Sequence, residues 1–334
     1  MSALAATLYR GDIVENTHAA HVAVVDAQGR LVHSFGDPQR VTLPRSAAKP
    51  AQALAVIETG ALERFGFTEE DLALMCASHS SEPRHVERVR AMLAKTQASE
   101  SDLRCGGHPP ISDAVQRDWI KRGFTPTAVC SNCSGKHAGM LAGARAMGLA
   151  LADYHLPGHP LQAHVRRTMA RAADLADDEV QWAIDGCNLP TPAFPLAHLA
   201  QLFMKIADAP EDAPLARIYR AMTAHPELVA GEGRFCTLLM QAFDGTLVGK
   251  TGADACYAIG VRREHGTLGI AIKIEDGNTA VLNAVVVHVL DQLGIGTPQQ
   301  RDALAAFRQP VVRNTMGVPT GQLDVRFTLH SHQA

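Results

Sequence analysis

Alternating hydrophobic and polar positions predict β-strands in two separate parts of the chain. Near the N-terminus, residues 18–26 and 30–35 favour strands, and Asp26-Ala27-Gln28-Gly29 between them is typical of a tight turn. These two strands are therefore expected to form a hairpin. Further along, short apolar segments recur between glycine-containing links. They predict three more strands, at residues 246–250, 256–261 and 268–274.

The middle of the chain has the hydrophobic spacing of amphipathic helices. A helix that starts near Ser46 and is closed by Gly60 is the first of them. A last helix, residues 279–293, follows the final predicted strand of the second group. The tail from Pro310 onward is expected to be irregular, with one strand near residues 323–329. The other helices are predicted at residues 82–96, 113–122, 134–147, 161–173, 196–206 and 215–224.

The order of these elements predicts the fold. Two strands are followed by a long helical region, three strands and a helix, which pack most simply as one five-stranded, mainly antiparallel sheet with flanking helices. This is an α/β (α+β) class with a helical lobe. We expect a single domain, residues 1–334, with a sheet lobe at about 1–45 and 245–334 and a helical lobe at about 46–244. The arrangement is typical of the serine β-lactamase and transpeptidase fold.

The segment Arg45-Ser46-Ala47-Ala48-Lys49-Pro50 places a serine and a lysine three residues apart. On a helix these side chains share one face, so the lysine amine can take the serine proton if burial keeps the amine neutral. A helix N-terminus adds partial positive charge near the attacking oxygen. Ser-x-x-Lys is the nucleophile motif of penicillin-binding proteins and serine β-lactamases. The alternative is a helix N-cap serine followed by a solvent-facing lysine.

Two later segments favour the catalytic interpretation. Lys250-Thr251-Gly252 occupies the place in the chain where β-lactamases carry their second lysine. Ser78, in Cys76-Ala77-Ser78-His79-Ser80, is a candidate relay that could pass a proton between nucleophile, base and leaving group. A polar loop that caps the helix beginning at Glu82 would explain Ser78 equally well.

The cysteine-rich segment from Cys130 to His137 contains a Cys-x-x-Cys pair, which suggests zinc or redox chemistry. No second Cys-x-x-Cys or His-x-x-x-His motif lies nearby to complete a structural tetrahedral site. Asp185-Gly186-Cys187-Asn188 could bring one more thiolate. A partial site with two or three protein ligands and a group of buried, inert cysteines both fit this pattern.

Two charged residues are candidates for holding a small substrate. Arg45, beside Ser46, could bind a carboxylate through two hydrogen bonds. Asp185 is an isolated acid before Gly186 and could bind an ammonium group. Each of the two could instead belong to a structural ion pair.

Composition limits the classes of partner and compartment. The 334 residues are 46% hydrophobic with a net charge of −3, so neither nucleic acid nor a membrane is expected as a partner. No membrane span and no signal peptide are recognised. The seven cysteines are an odd number in a long chain, which indicates reduced thiols and a cytoplasmic location.

Taken together, these motifs make the chain similar to a known enzyme family. It resembles the bacterial asparaginases of the Rhizobium etli type, also called class 3 or the asparaginase II family. The resemblance runs from residue 11 to about residue 320. The matching stretches are residues 11–16, 45–50, 76–80, 105–108, 130–137, 185–192 and 229–234, and Lys250 with 252–254.

The resemblance implies an amidohydrolase that converts L-asparagine to L-aspartate and ammonia. It also implies the β-lactamase-like fold and a homodimer. Ser46 corresponds to the nucleophile, with Lys49 as its base. Ser78 and Lys250 correspond to a second serine–lysine pair.

The same resemblance implies a zinc ion near the active site. The positions of its ligands correspond to Cys133, Lys136 and Cys187. Lysine is an unusual ligand, because it must lose a proton to bind a metal. The residues expected to contact the substrate are Arg45, His137 and Asp185.

Three other functions remain to be separated from this one. A serine-dependent glutaminase or related amidase would use the same machinery on a substrate that is one methylene longer. A penicillin-recognising acyltransferase would be labelled at Ser46 by a β-lactam. A non-enzymatic zinc or redox module built on Cys130 and Cys133 would not need Ser46. Threonine-dependent asparaginases are excluded, because neither Gly-Gly-Thr nor Thr-Asp-Thr occurs in the chain.

Overall fold

The computed structural model describes residues 3–332 and groups them into two compact units. The sheet unit contains the described residues up to Ala47, the segment Phe194–Asp208 and the described residues from Leu238 onward. The helical unit contains Ala48–Ala193 and Ala209–Thr237. Phe194–Asp208 was expected in the helical lobe, but it groups with the sheet because its helix packs on the strands.

Residues 3–332 form twelve strands and fourteen α-helices, numbered in chain order. The strands are β1 Leu4–Arg10, β2 Ile13–Val25, β3 Leu31–Phe35, β4 Val41–Thr42, β5 Gln181–Ile184, β6 Pro190–Pro195, β7 Leu247–Gly252, β8 Cys256–Val261, β9 Leu268–Ile274, β10 Val311–Arg313, β11 Pro319–Val325 and β12 His330–Ser331. The helices are α1 Lys49–Glu58, α2 Ala61–Phe65, α3 Glu69–Met75, α4 Pro83–Lys95, α5 Asp113–Lys121, α6 Ser134–Ala146, α7 Pro160–Ala172, α8 Leu196–Asp208, α9 Pro214–Ala224, α10 Pro226–Val229, α11 Phe235–Phe243, α12 Thr279–Gln292, α13 Pro298–Asp302 and α14 Ala305–Arg308. Short 3-10 helices lie at Arg45–Ala48, Glu100–Asp102 and Ala128–Cys130.

The sheet unit is built on one antiparallel sheet of nine strands, so the prediction of five strands was wrong. The order is β10-β11-β1-β2-β9-β8-β7, with β3 on β2 and β12 on β3. The five predicted strands are present as β2, β3, β7, β8 and β9. The additional strands have a weak pattern because few of their residues are buried. In β11, for example, Pro319 and Gly321 interrupt the hydrophobic alternation and only Leu323 is buried.

Helix α8 packs closely on β8 and β9, and two glycines make this approach possible. Gly260 and Gly269 are direct partners across these strands. A Cβ atom at Gly260 would lie 2.2 Å from Phe203 O, and one at Gly269 would lie 1.9 Å from Ala200 O. Glycine is therefore required where the helix backbone rests on the sheet. Helix α12 also packs against β8 and β9, and β9 is buried along its whole length.

Helix α6 is the centre of the helical unit. Its residues Ser134–Ala144 are all buried, and α1, α3 and α4 pack around it. Small residues allow this packing. A Cβ atom at Gly135 would lie 2.3 Å from Leu74 O, so the end of α3 meets the first turn of α6 backbone to backbone. That contact places the loop after α3 beside the cysteine-rich segment.

The long predicted helices are confirmed to within two residues at each end. The exception is the first one, since Arg45–Ala48 forms a 3-10 helix and α1 begins only at Lys49, with Pro50 in its first turn. Proline there needs no hydrogen-bonded N–H and favours the start of the α-helix. Within residues 3–332, no helix combines the length and apolar character needed to cross a bilayer.

Candidate active site

The lysine of the Ser-x-x-Lys motif contacts the candidate relay serine inside the helical unit. Lys49 opens α1, and its side chain is 0% exposed. Its Nζ donates a hydrogen bond to Ala77 O and lies 3.2 Å from Ser78 Oγ. A solvent-facing lysine is therefore the wrong interpretation of this position. The contact gives a buried amine and a hydroxyl close enough to exchange a proton.

The loop that carries Ser78 is buried and rigidly held, and Ser78 is not a helix cap. Residues 78–82 are all buried. Helix α4 is capped by Glu82, whose backbone N–H donates to His85 Nδ1, so its start does not depend on Ser78. The Ser78 backbone N–H donates to Val229 O at 2.9 Å. The side chain of Ser78 is thus available for chemistry while its backbone is fixed.

His79 supports this loop as a neutral residue. Its Nδ1 accepts the Ser81 N–H at 3.2 Å, which assigns the ring proton to Nε2. Nε2 then donates to Ser134 Oγ at 2.9 Å. Complete burial, together with the charges of His85 and Lys49, lowers the pKa of His79 well below its usual value. His79 is therefore a structural link between the loop and α6.

Ser46 lies in the 3-10 helix Arg45–Ala48 and is half-buried. The residue before it, Arg45, has φ of +50°, which costs a non-glycine residue about 1–3 kcal/mol. Arg45 Nη1 is bonded to Asp254 Oδ2 at 2.6 Å, and this ion pair holds the left-handed turn. Strained backbone beside a reactive side chain is common at catalytic positions.

Lys250 lies on β7 in the same unit as Ser46, and its side chain is 1% exposed. Its Nζ donates to Thr251 O at 2.6 Å. Two residues further on, a Cβ atom at Gly252 would lie 2.1 Å from Pro44 O. The strand therefore touches the backbone just before Arg45 and Ser46. Within the sheet unit, the fold thus brings the Lys-Thr-Gly motif to the Ser46 segment.

The three predicted zinc ligands meet in the helical unit. Cys133 precedes α6, Lys136 lies in its first turn, and Cys187 lies in the turn between β5 and β6. Lys136 Nζ is 3.0 Å from Cys187 Sγ, and the Cys133 and Cys187 thiols share a hydrogen bond. All three side chains are buried.

This cluster contains one ionised and one protonated thiol. The hydrogen bond from Cys133 and the charge of Lys136 lower the pKa of Cys187 to about 5, against the opposing effect of burial. The same hydrogen bond, together with burial, raises the pKa of Cys133 to about 12. Burial lowers the pKa of Lys136, but the attraction of Cys187 and Cys133 outweighs it and the net pKa is raised. The amine, like Cys133, is protonated in this arrangement.

Asp185 lies in the same turn as Cys187 and is half-buried. Its Oδ1 accepts the Gly186 N–H at 2.7 Å, and Asn188 completes the turn with φ of +73°. Asp185 contributes to the raised pKa of Lys136 through its charge. Its carboxylate is therefore placed at the edge of the thiol–amine cluster.

A family model for L-asparaginase II matches residues 6–325. The chain belongs to the L-asparaginase II family. It is therefore an amidohydrolase that hydrolyses L-asparagine to L-aspartate and ammonia. No curated protein matches the chain.

Among solved structures, the asparaginase is similar to one described as a "putative beta-lactamase" from Bacteroides dorei DSM 17855. The similarity has a TM-score of 0.45 and 10% sequence identity, and it covers 81% of this chain and 93% of the other.

The donor set of the asparaginase cluster fits zinc. Sulfur and nitrogen donors are those that zinc prefers, and two thiols and one amine already touch one another here. Binding would displace the protons of Cys133 and Lys136, whereas Cys187 is already a thiolate. Among residues 3–332, no three His, Cys, Asp or Glu side chains form a metal-binding group, so a site here depends on the lysine.

His137 of the asparaginase is buried beside the cluster and is neutral. Burial and the charge of Lys136 lower its pKa to about 3. Its Nδ1 lies 2.5 Å from Tyr154 Oη, and Tyr154 Oη also accepts the Arg104 N–H at 3.1 Å. Tyr154 could not be recognised in the sequence, because a single tyrosine outside any motif carries no pattern. Asp254 does lie in a matching stretch, residues 252–254, but its pairing with Arg45, 209 residues away, leaves no local pattern.

Proposed function

We propose that this asparaginase works through a serine acyl-enzyme, in the manner of the Rhizobium etli type and on a β-lactamase-like fold within a single domain. Ser46 is the nucleophile, Lys49 its base, and Ser78 with Lys250 the second serine–lysine pair. The observation that carries the proposal is the buried Lys49 amine at 3.2 Å from Ser78 Oγ. The strained Arg45 backbone before Ser46 and the approach of β7 to Pro44 support it.

In the first half-reaction Lys49 takes the Ser46 proton, and Ser46 Oγ attacks the side-chain amide carbon of asparagine. Backbone N–H groups near Ser46 stabilise the oxyanion. Ser78 and its lysines relay a proton to the amide nitrogen, the C–N bond breaks, and ammonia leaves. In the second half-reaction water attacks the ester carbon, a lysine takes a proton from that water and passes it to Ser46 Oγ, the ester C–O bond breaks, and aspartate is released.

The substrate needs groups for its α-carboxylate and α-ammonium. Arg45 is proposed for the carboxylate, since a planar guanidinium can bind a carboxylate through two hydrogen bonds. Asp185 is proposed for the ammonium group, and neutral His137 for a hydrogen bond to the bound substrate. In the sequence, Arg45 directly precedes Ser46, whereas His137 and Asp185 lie beside the proposed zinc ligands Lys136 and Cys187.

The acyl-enzyme can be observed directly. Rapidly quenched turnover of asparagine should leave an aspartyl ester on the peptide that contains Ser46, detected by mass spectrometry.

The purified enzyme should also release ammonia from asparagine with a kcat/KM about 10-fold or more above that for glutamine, because one methylene in a fitted pocket changes binding by about 1–3 kcal/mol. Ammonia release without any ester, or a preference for glutamine, would contradict the proposal.

Cys133, Lys136 and Cys187 are proposed to hold a zinc ion. Bound there, zinc would supply an electrophilic contact that orients the substrate. Cys187→Ser should therefore lower the zinc content of the purified protein and raise KM for asparagine more than it lowers kcat. Metal analysis and steady-state kinetics check the two effects.

Cys256→Ser is the control for this substitution, because Cys256 is also buried but lies on β8, outside the cluster. It should leave zinc content and KM unchanged. A loss of kcat at constant KM in Cys187→Ser, or unchanged zinc content, would show that the cluster has another role.

We also propose a homodimer in a reducing, cytoplasmic environment, with a small-molecule substrate as the only other partner. The seven cysteines support the environment, since all of them are free thiols. Light scattering of the purified enzyme would give twice the chain mass of 35.7 kDa for the dimer.

A further inference from the structure

The segment Val229–Arg234 has no role in the reaction proposed above, yet it binds both backbone groups of Ser78. The Ser78 N–H donates to Val229 O at 2.9 Å. The Arg234 Nη1 donates to Ser78 O at 2.5 Å and also contacts Ala230 O at 3.3 Å. Arg234 Nη1 therefore links the Ser78 carbonyl to Val229–Arg234, the same segment that accepts the Ser78 N–H.

The contact continues along the loop beyond Ser78. Ser80 Oγ donates to Ala230 O at 2.9 Å, and the Glu232 N–H donates to Glu82 Oε1 at 2.8 Å. The segment is itself held by Thr237, whose hydroxyl donates to Gly231 O at 2.7 Å. Every contact is inside the helical unit, and most of the groups are buried.

Gly231 sets the spacing between the two segments. Its φ is +132°, a conformation that L side chains rarely adopt. A Cβ atom there would lie 2.5 Å from Ser80 Oγ and 2.7 Å from Glu82 Oε1. Any side chain at this position must push the Ser78 loop away. Gly233 also has a positive φ, of +68°, but a Cβ atom there would meet nothing within 4 Å.

We propose that Arg234 is a positioning residue, which fixes Ser78 so that its hydroxyl stays in reach of Lys49. The inference rests on the proposed function, because it gives Ser78 a part in proton transfer. The Ser78 backbone is held on one side by Val229 and on the other by Arg234, while its hydroxyl lies 3.2 Å from Lys49 Nζ. A proton relay loses much of its rate when such a distance grows by about 1 Å. A charged donor suits this task, because its hydrogen bond to a carbonyl is stronger than that of a neutral donor.

Arg234→Met removes the donor and keeps a long side chain. It should lower kcat for asparagine by about 10- to 100-fold and change KM by less than about 3-fold. Arg234→Lys restores one charged donor and should recover part of the loss. The informative measurement is the same substitution made in Ser78→Ala, where it should lower the residual kcat by no more than about 2-fold, since the group being positioned is gone.

The glycines provide a second, independent test with a matched control. Gly231→Ala should lower kcat by about 10-fold or more, because its methyl group displaces the Ser78 loop. Gly233→Ala also adds a methyl group at a residue with positive φ, but this methyl group meets no other atom within 4 Å. Its kcat should therefore stay within about 2-fold of wild type. Thermal unfolding of both variants separates loss of fold from loss of position. If Arg234→Met does not fold, the two glycine variants still test whether the position of the Ser78 loop controls kcat.

Equal losses from Arg234→Met with and without Ser78, or equal effects of the two glycine substitutions, would overturn the inference. Neither result would bear on Ser46 as the nucleophile. Conversely, full activity in Ser78→Ala would remove Ser78 from the mechanism, and so the inference would fail together with that part of the proposed function. If the aspartyl ester on Ser46 is still found in every variant, the acyl-enzyme mechanism stands and only the inference about Arg234 and Ser78 has failed.

Discussion

Ser46→Ala is expected to abolish turnover of asparagine, with kcat lowered by at least about 10⁴-fold. The substitution removes the oxygen that is proposed to carry the acyl group. The folded state should be nearly unchanged, because Ser46 is half-buried in a short 3-10 helix. We expect a change of less than about 1 kcal/mol in the free energy of unfolding. Ammonia release and thermal unfolding measure the two quantities.

Ser112→Ala is the matched control for this prediction. Ser112 caps α5 through a hydrogen bond from the Val115 N–H at 3.4 Å. Its loss should cost about 1 kcal/mol of stability and leave kcat unchanged. If Ser46→Ala retained a tenth or more of wild-type activity, Ser46 would not be the nucleophile and the acyl-enzyme mechanism would have to be abandoned.

The second large effect is expected for Lys49→Met, which keeps the length of the side chain and removes the amine. Loss of the base should lower kcat by about 10³-fold, within the range typical of general base catalysis. Stability should change little. Ala77 O loses its hydrogen bond, at a cost of about 1–3 kcal/mol, but a buried polar amine is also removed, which returns a comparable amount. A stable but inactive protein is therefore the expected outcome.

Lys95→Met tests whether this pattern is particular to Lys49. Lys95 lies in the same unit and forms an ion pair with buried Asp71 at 2.6 Å, while Arg88 also contacts Asp71. Its replacement should reduce stability and leave kcat within about 2-fold. Unfolding of Lys49→Met at room temperature, with activity lost only in proportion to the unfolded fraction, would instead assign Lys49 a structural role.

The family assignment already decides against the two functions of other classes that the sequence left open. A penicillin-recognising acyltransferase would show covalent labelling of Ser46 by a β-lactam and no ammonia release from asparagine. A zinc or redox module built on Cys130 and Cys133 would keep its function in Ser46→Ala. Cys130 is buried in a 3-10 helix and its carbonyl accepts the Ser81 hydroxyl at 2.7 Å. This structural contact gives Cys130 a place in the fold that does not depend on a metal.

Strongly patterned elements could be predicted from the sequence, and weakly patterned ones could not. Helices such as α6 and the buried strands β8 and β9 were located closely because long apolar runs with one period leave few alternatives. The strands β1, β10, β11 and β12 were missed or misplaced because few of their residues are buried, so the alternation of apolar and polar positions is weak. Backbone pairing with a neighbour makes them strands, and such pairing leaves no hydrophobic pattern.

The site shows the same division. Ser46, Lys49, Ser78 and Lys250 could be proposed from the sequence because each lies in a short motif. Tyr154, Asp254 and Arg234 were not assigned, although each bonds a residue of interest directly. Their partners lie 17, 209 and 156 residues away in the chain, beyond the range of any local pattern.

The sequence by itself determined the family and its reaction, the candidate nucleophile and the identity of the residues around it. The tertiary structure decided that Lys49 is buried against Ser78 and that Arg45 is strained and paired with Asp254. It also decided that Arg234 donates a hydrogen bond to the Ser78 carbonyl. The physical reason is that motifs record covalent neighbours and their periodicity. Burial, charge pairing and backbone contact depend on segments that meet only when the chain has folded.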